Sequence, residues 1–270
     1  MNGLRNVSSS WNSMAQQNAM EAVLTGAEWD ERKFYASGEH EVNDILKLVN
    51  SQAGDLKTGE ALDFGCGLGR LSFALCQHFE KVTGIDISKE MIEQATQSSR
   101  KPSNLQLTRS ERNDLQGFED NAFDFVLSLI VLQHIPQKVA KNYIREFLRV
   151  ARPGGVIVFQ AISKATGLKE STKQKFWADK PLNWDNPSLP KLIYRASFRF
   201  MRWVPRKILN HKLRYFLKKI AGKPVMQMNP IPRRSIEKAI RKSGGTLLYS
   251  AEDGRAGPDF ESILFLVRKS

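Results

Sequence analysis

Between a short apolar strand and an apolar helix, this chain turns through three glycines at alternate positions, Ala61-Leu-Asp-Phe-Gly-Cys-Gly-Leu-Gly-Arg70, and continues as Leu71-Ser-Phe-Ala-Leu-Cys76. Such a turn lets backbone N–H groups approach a ligand closely at the carboxyl end of a strand. A dinucleotide fingerprint requires glycine at the first, third and sixth positions. Counted from Gly65, the sixth position is Arg70, so that fingerprint fails. Asp63, two residues before the first glycine, carries a charge that repels a pyrophosphate and attracts a cation.

A second landmark follows. Lys81-Val-Thr-Gly-Ile-Asp-Ile-Ser88 reads as a strand ending in Asp86, 21 positions after Gly65. An acid at the end of the second strand is placed to hold ribose hydroxyls. Taken alone, Asp86 equally suits a turn or a helix cap, because Ser88 begins a helix through Met91 and Ile92. Together the two stretches resemble the cofactor motifs of the class I S-adenosylmethionine-dependent methyltransferases. That cofactor offers a sulfonium, an ammonium and no phosphate, which agrees with Asp63. The resemblance carries cofactor contacts onto Asp63, Gly65, Cys66, Gly67, Gly69, Arg70, Asp86, Ile87 and Met91. It covers residues 60–160 strongly and the last strands weakly.

Residues 60–160 alternate strand and helix, the pattern of a parallel sheet covered on both faces. Asn104–Thr108 is the third strand, and it leads to Arg112-Asn-Asp-Leu115. In the resembled family a polar pair here reads the adenine edge, which implicates Asn113 and Asp114, with Leu115 lying on the ring. An Asn-Asp pair also favours a plain turn. Strand four, Ala122–Ser128, runs into Leu129-Ile-Val-Leu-Gln-His134-Ile-Pro136. By resemblance Ser128 and Leu129 face the cofactor, and Gln133 and His134 approach the methyl-transfer position. His134 is a candidate general base towards a hydroxyl. It is equally a helix cap or a packing residue. Lys138–Arg149 is a basic helix ending in Arg-Pro-Gly-Gly155, after which Val156–Phe159 is strand five.

The expected fold is α/β: a Rossmann-like doubly wound sheet of seven strands with the last antiparallel. N-terminal cap helices precede it, and a basic helical insert separates strands five and six. The corresponding units are 1–55 as cap, 56–160 as cofactor-binding core, 161–230 as insert or lid, and 231–270 as closing helix and strands. In the cap, Val42, Ile45, Leu46 and Val49 recur at helical spacing, with an entry at Ser37-Gly38-Glu39. N-terminal segments of the resembled family fold over the cofactor, which makes Phe34, Tyr35 and Gly38 candidate wall residues, beside the alternative of ordinary core packing.

Composition narrows the function. The chain has 270 residues, 26% charged and 41% hydrophobic, as in soluble globular proteins. The N-terminus lacks the apolar core of a signal peptide, no apolar run is long enough to span a bilayer, and Cys66 and Cys76 offer no disulfide framework. These features set a cytoplasmic expectation. The four histidines, His40, His78, His134 and His211, show no metal-ligand spacing. Charge is divided unevenly: 17 basic and 20 acidic residues lie in 1–160, against 24 and 8 in 161–270. Residues 191–220 mix these cations with Phe198, Phe200, Trp203 and Phe216.

Three functions compete. One is methylation of a small-molecule or lipid-like, acidic acceptor, with residues 191–220 as a helical lid whose cations also suit an anionic membrane surface, so that the protein is peripheral to it. A second is nucleic-acid methylation along a phosphate-tracking insert. The third is cofactor binding without transfer, the basic segment serving as an interaction module. Absence of a zinc-type cysteine spacing and of a base-methylation motif after strand four favours the first; nucleic acid stays open as a partner.

Overall fold

Seven strands form one sheet in the order β3-β2-β1-β4-β5-β7-β6. They are β1 (Glu60–Phe64), β2 (Lys81–Asp86), β3 (Leu105–Arg109), β4 (Phe123–Ser128), β5 (Ala151–Ala165), β6 (Gly245–Glu252) and β7 (Phe260–Lys269). The structure is a computed structural model that describes residues 2–24, 28–166 and 228–270. The first five strands pair in parallel, with β1 between β2 and β4, while β7 runs antiparallel between β5 and β6. The doubly wound sheet with its closing antiparallel strand is therefore the one expected. The insert expected at 161–230, including Phe198, Phe200, Trp203 and Phe216, falls almost wholly outside the described residues.

Apolar packing on both faces explains the near-continuous hydrophobic strands. One face carries α5 (Gln137–Val150) and α6 (Arg233–Lys242), whose Tyr143, Ile144, Phe147, Ile236 and Ile240 pack on Phe159 and Phe265. The other carries α2 (Glu31–Ala53), α3 (Arg70–Leu75) and α4 (Lys89–Gln97), with Phe34, Val42, Leu75 and Met91 against Phe125 and Val158. Fully burying each such side chain contributes about 1.5–3 kcal/mol.

Helix α1 (Asn2–Val23) belongs to neither layer alone. Its Leu4 joins the first cluster, and its Ala15 and Ala19 join the second, so it crosses the edge between them. It kinks at Asn18, whose φ of −163° and ψ of 99° are extended. The Asn18 Oδ1 accepts from the Glu21 amide at 3.2 Å and so caps the continuing turn.

Three boundaries differ from the sequence expectation. Helix α2 begins at Glu31, not at Ser37: Asp30 caps it by accepting from the Lys33 amide at 2.8 Å, and Gly38 lies well inside. Strand β5 begins at Ala151, before the Arg-Pro-Gly-Gly stop. Ala151 pairs with Phe123, a register shift follows, and regular pairing resumes at Phe125 and Val156. Gly154, at φ 78°, supplies the left-handed residue of that bulge. β5 also runs on to Ala165, past the boundary drawn at 160. Downstream, the chain is pinned again where the Asn229 amide donates to Gln133 O at 2.7 Å and the Ile231 amide to Ile162 O at 2.8 Å.

Candidate active site

The turn between β1 and α3 is held by strand β2. Gly65 and Cys66 both donate to Ile85 O, at 2.7 and 3.1 Å, and Gly69 closes the turn onto Cys66 O at 2.8 Å. Gly65, Gly67 and Gly69 all have positive φ, at 81°, 53° and 80°. At Gly65 the need is double, since a Cβ there would also fall 2.2 Å from Val131 on the turn after β4.

Two carboxylates sit in this cradle. Asp86 accepts from the Gly67 amide at 2.9 Å and, through its other oxygen, from the Ser88 amide at 2.7 Å. Burial nevertheless raises its pKa above the ordinary aspartate value, outweighing those hydrogen bonds. Asp63 is 2% exposed and accepts from Ser72 Oγ at 2.6 Å. Burial pushes it up to about 6, against the lowering effect of the Ser72 hydrogen bond. The Cys66 thiol is buried and pushed up as well, first by desolvation and then by the two aspartates.

Helix α1 lies over this end of the sheet. Ser8 Oγ donates to Ile87 O at 3.3 Å and to Glu111 at 2.9 Å, while Asn12 Oδ1 accepts from Ser88 Oγ at 2.7 Å and the Glu90 amide at 3.3 Å. Val23 stands 3.2 Å from where a Gly67 Cβ would be. Beside these residues an open cleft of about 420 Å³ is bordered by Arg5, Ser8, Asn12, Arg109 and Glu111. In sequence the polar N-terminus gave little sign of this role; its serine and asparagine spacing on a helix is the one signal available.

The remaining candidates separate by what they touch. Arg70 is engaged by α2: its guanidinium pairs with Glu41 and bonds Ser37 Oγ at 3.3 Å, while Glu41 also meets Arg255 at 2.5 Å. Phe34 is fully buried, and Tyr35 stacks on Phe73 at 4.7 Å and donates from its hydroxyl to Leu68 O at 3.2 Å. A Cβ on Gly38 would lie 2.1 Å from Arg70 O. These three residues brace the glycine turn from behind. Met91 is 1% exposed in the core, and Ile87 offers its carbonyl to Ser8. Asn113 is exposed, Asp114 pairs with Arg112 at 2.8 Å, and Leu115 is 1% exposed with its amide donating to Glu146 at 2.9 Å. Leu115 thus presents no open face to a ring here.

At the end of β4, Ser128 is fully buried, its Oγ has no hydrogen-bond partner, and Leu129 beside it is 6% exposed. A buried orphan hydroxyl at this position could bond a ligand set beyond the end of β4. His134, 8% exposed, sits in a short 3-10 turn (Leu132–His134) with its ring edge-on to Trp11 at 5.4 Å. Its Nε2 lies 3.2 Å from Gln133 Nε2. Two anionic carboxylates, a backbone cradle and the orphan Ser128 hydroxyl suit a ligand with cationic and hydroxyl groups. They do not suit a phosphate ester. S-adenosylmethionine therefore fits the residues present. Among the described residues no cluster of three histidine, cysteine or acidic side chains could hold a metal.

Residues 62–159 match the methyltransferase domain family. The sheet order and the glycine turn agree with that match and with the class I S-adenosylmethionine-dependent methyltransferase fold. Among curated proteins the chain is similar to the demethylmenaquinone methyltransferase of Staphylococcus saprophyticus, 32% identical over 125 residues, 45% of this chain and 51% of that protein. The Staphylococcus aureus enzyme of that name is 33% identical over 123 residues, 44% of this chain and 50% of the other. The chain thus spans about half the length of these curated relatives. Among solved structures, magnesium protoporphyrin IX methyltransferase from Synechocystis PCC 6803 with bound SAH superposes with a TM-score of 0.60 at 19% identity, over 100% of both chains. An S-adenosylmethionine-dependent methyltransferase from Clostridium acetobutylicum gives 0.56 at 15% identity, over 96% of this chain and 100% of that one. These structural likenesses establish the fold.

Proposed function

We propose that this chain transfers a methyl group from S-adenosylmethionine to a small-molecule, lipid-like and acidic acceptor. The observation that carries the reading is the cradle itself. Gly67 and Ser88 amides hold the Asp86 carboxylate at the end of β2, and buried Asp63 lies behind the same turn. Asp86 would hold ribose hydroxyls, Asp63 would set the negative field for the cationic end, and Ser128 would receive a hydrogen bond from the aminoacyl end or donate one to it. The bound cofactor supplies a methyl group activated on a sulfonium. Helix α1, anchored by Ser8 and Asn12, would cover one side of the bound cofactor.

The acceptor class rests on two supports. The demethylmenaquinone and magnesium protoporphyrin IX in the names of similar proteins are small molecules. The basic segment 161–230 leaves from the end of β5 and returns at Asn229, whose amide bonds Gln133 O beside His134. Residues 167–227 lie outside the described residues; the segment's excess of cations in the sequence suits an acidic acceptor. Calorimetric titration with S-adenosylmethionine, followed by transfer of labelled methyl to a panel of acidic quinone-like, carboxylated and nucleic-acid acceptors, tests the reading. Saturable cofactor binding with label in a small acidic acceptor is expected. No cofactor binding, or label confined to RNA or DNA, overturns it.

A further inference from the structure

Behind His134 the described residues hold a polar chain sealed from water. Gln160 on β5, Gln133 on the 3-10 turn and Ser262 on β7 are 0%, 3% and 2% exposed. Gln160 Oε1 accepts from the Ile130 amide at 3.0 Å, and its Nε2 donates to Gln133 Oε1 at 3.1 Å and to Ser262 Oγ. Gln133 Nε2 then faces His134 Nε2 at 3.2 Å. From this order of contacts we infer that Gln160 and Gln133 are positioning residues that fix the proton of a neutral His134 on Nδ1, leaving Nε2 as an acceptor.

The argument starts from the one member whose polarity cannot reverse. A backbone N–H is a donor in every state, so the atom of Gln160 facing Ile130 must be its oxygen. The Gln160 amide group then points at Gln133 and must find an acceptor, which orients the Gln133 oxygen inward. The amide group of Gln133 is consequently turned to the imidazole, and a donor there requires an unprotonated Nε2. Turning either amide over would set two donors face to face in a water-free site, which is costly. Ser262 does not set the direction, because a hydroxyl rotates to suit its neighbour.

The anchor is itself unusual. Ile130 has φ 61°, a left-handed conformation that is a genuine outlier for a β-branched residue. Strain of that kind persists where the surroundings over-determine it. Ile130 lies just beyond the end of β4, and its amide donates to Gln160.

The functional consequence rests on the methyltransferase reading. With Nε2 held as an acceptor from Gln133, His134 does not take a proton from the methyl acceptor through that nitrogen. It orients the acceptor or packs beside it. An acidic acceptor that arrives already ionised needs no such base.

Side-chain 15N NMR of the full chain tests the inference, since long-range proton–nitrogen correlations distinguish protonated from unprotonated ring nitrogens. The chain has four histidines, and His134→Asn assigns the relevant signals by their loss. Wild-type His134 is expected to show an unprotonated Nε2 and a protonated Nδ1 at neutral pH. Gln160→Glu presents acceptors on both sides, to the Ile130 amide and to Gln133, so Gln133 turns over and the proton appears on Nε2. Ser262→Ala leaves the tautomer as in the wild type. A protonated Nε2 in the wild type overturns the inference, and that spectrum alone decides should the buried carboxylate unfold the chain. An unchanged tautomer in folded Gln160→Glu at a pH where its carboxyl is ionised, or a switched one in Ser262→Ala, overturns it too. A chain that binds S-adenosylmethionine but shows the other tautomer loses this inference alone. One that shows this tautomer and binds no cofactor loses the proposed function alone.

Discussion

Replacing Gly38 by alanine pits helix propensity against packing, and the geometry says which wins. In an exposed helix interior the change stabilises by about 1 kcal/mol. Here the new Cβ would stand 2.1 Å from Arg70 O, 2.9 Å from Arg70 C and 3.0 Å from Arg70 Cγ. Carbon and carbonyl oxygen settle at roughly 3.3–3.6 Å, so α2 and the start of α3 must separate by about 1 Å. The obstacle is backbone at the head of α3, and α2 is pinned there by Phe34, Tyr35, Val42 and Ile45. Overpacking against such a wall costs about 1–3 kcal/mol, at the upper end when nothing flexible can yield. The net effect expected is a loss of about 1–2 kcal/mol, read as a fall in melting temperature of roughly 2–8 °C. Because Arg70 follows Gly69 directly, cofactor affinity should weaken in the same variant. Gly117→Ala, where nothing lies within 4 Å of a Cβ, is the control and should stay within about 0.5 kcal/mol of wild type. Urea melts give the stabilities and calorimetry the affinity. Gly38→Ala at or above wild-type stability would refute the packing argument, since propensity would then have outweighed the contact.

Asp86→Ala should weaken S-adenosylmethionine at least tenfold in calorimetry while thermal melting stays cooperative, because each charged hydrogen bond lost costs about 1.5–3 kcal/mol; unchanged affinity removes Asp86 from the site. Glu41→Ala leaves Arg70 and Arg255 facing each other and should cost about 3–5 kcal/mol in urea melts. Its two arginines outweigh burial and hold the Glu41 carboxyl below the usual glutamate value, so its stabilisation is present at neutral pH and is lost as pH falls through that depressed pKa. Cofactor affinity should fall as pH drops through about 6, by up to tenfold per unit, as Asp63 takes up a proton and no longer attracts a cation; Asp63→Asn should flatten that profile. Neutralising Arg199, Arg202, Arg206 and Lys207 together should leave cofactor affinity unchanged and weaken capture of an acidic acceptor or anionic vesicle, most at low salt, and loss of cofactor binding there would place the insert in the cofactor site.

What the sequence revealed and what it hid divide along the range of the interactions. The seven strands were legible because buried strands read as short apolar runs punctuated by glycine. The glycine turn was legible because left-handed backbone leaves its mark in residue type. Gly38 was read as punctuation at a helix entry, since glycine disfavours helix locally. Its real cause is a contact with Arg70, which no local pattern encodes. The start of β5 was hidden for a similar reason. Arg-Pro-Gly-Gly signals a stop, yet the bulge keeps Ala151 paired to Phe123 across the sheet. Asp114 and Leu115 were drawn towards adenine by resemblance, whereas Asp114 pairs with Arg112 and Leu115 is packed in the core. The Gln133–Gln160 contact joins residues 27 apart and exists only once β4 and β5 are in register. Gln160 alone left a trace, as a polar residue within the apolar run of Val156–Ile162.

Under the proposed function, the two aspartates of the cradle suit this glycine turn to a cation. Both have pKa values raised by burial, Asp63 to about 6. A raised aspartate pKa means that folding favours the neutral form. Its contribution to stability is full below the ordinary value near 3.8 and declines as pH rises through the folded value. Near neutral pH the cradle therefore holds negative charge that burial opposes and that Ser72 and the Gly67 and Ser88 amides only partly offset. A bound cation relieves that cost, so binding energy and relief of strain act in the same direction. A phosphate would add to it. The Gly67 amide is spent on Asp86, that of Gly65 on Ile85 O and that of Gly69 on Cys66 O, so these three donors are withdrawn from any anionic ligand. A turn of this shape with an alanine at position 63 would keep only the Asp86 share of the field that makes it selective.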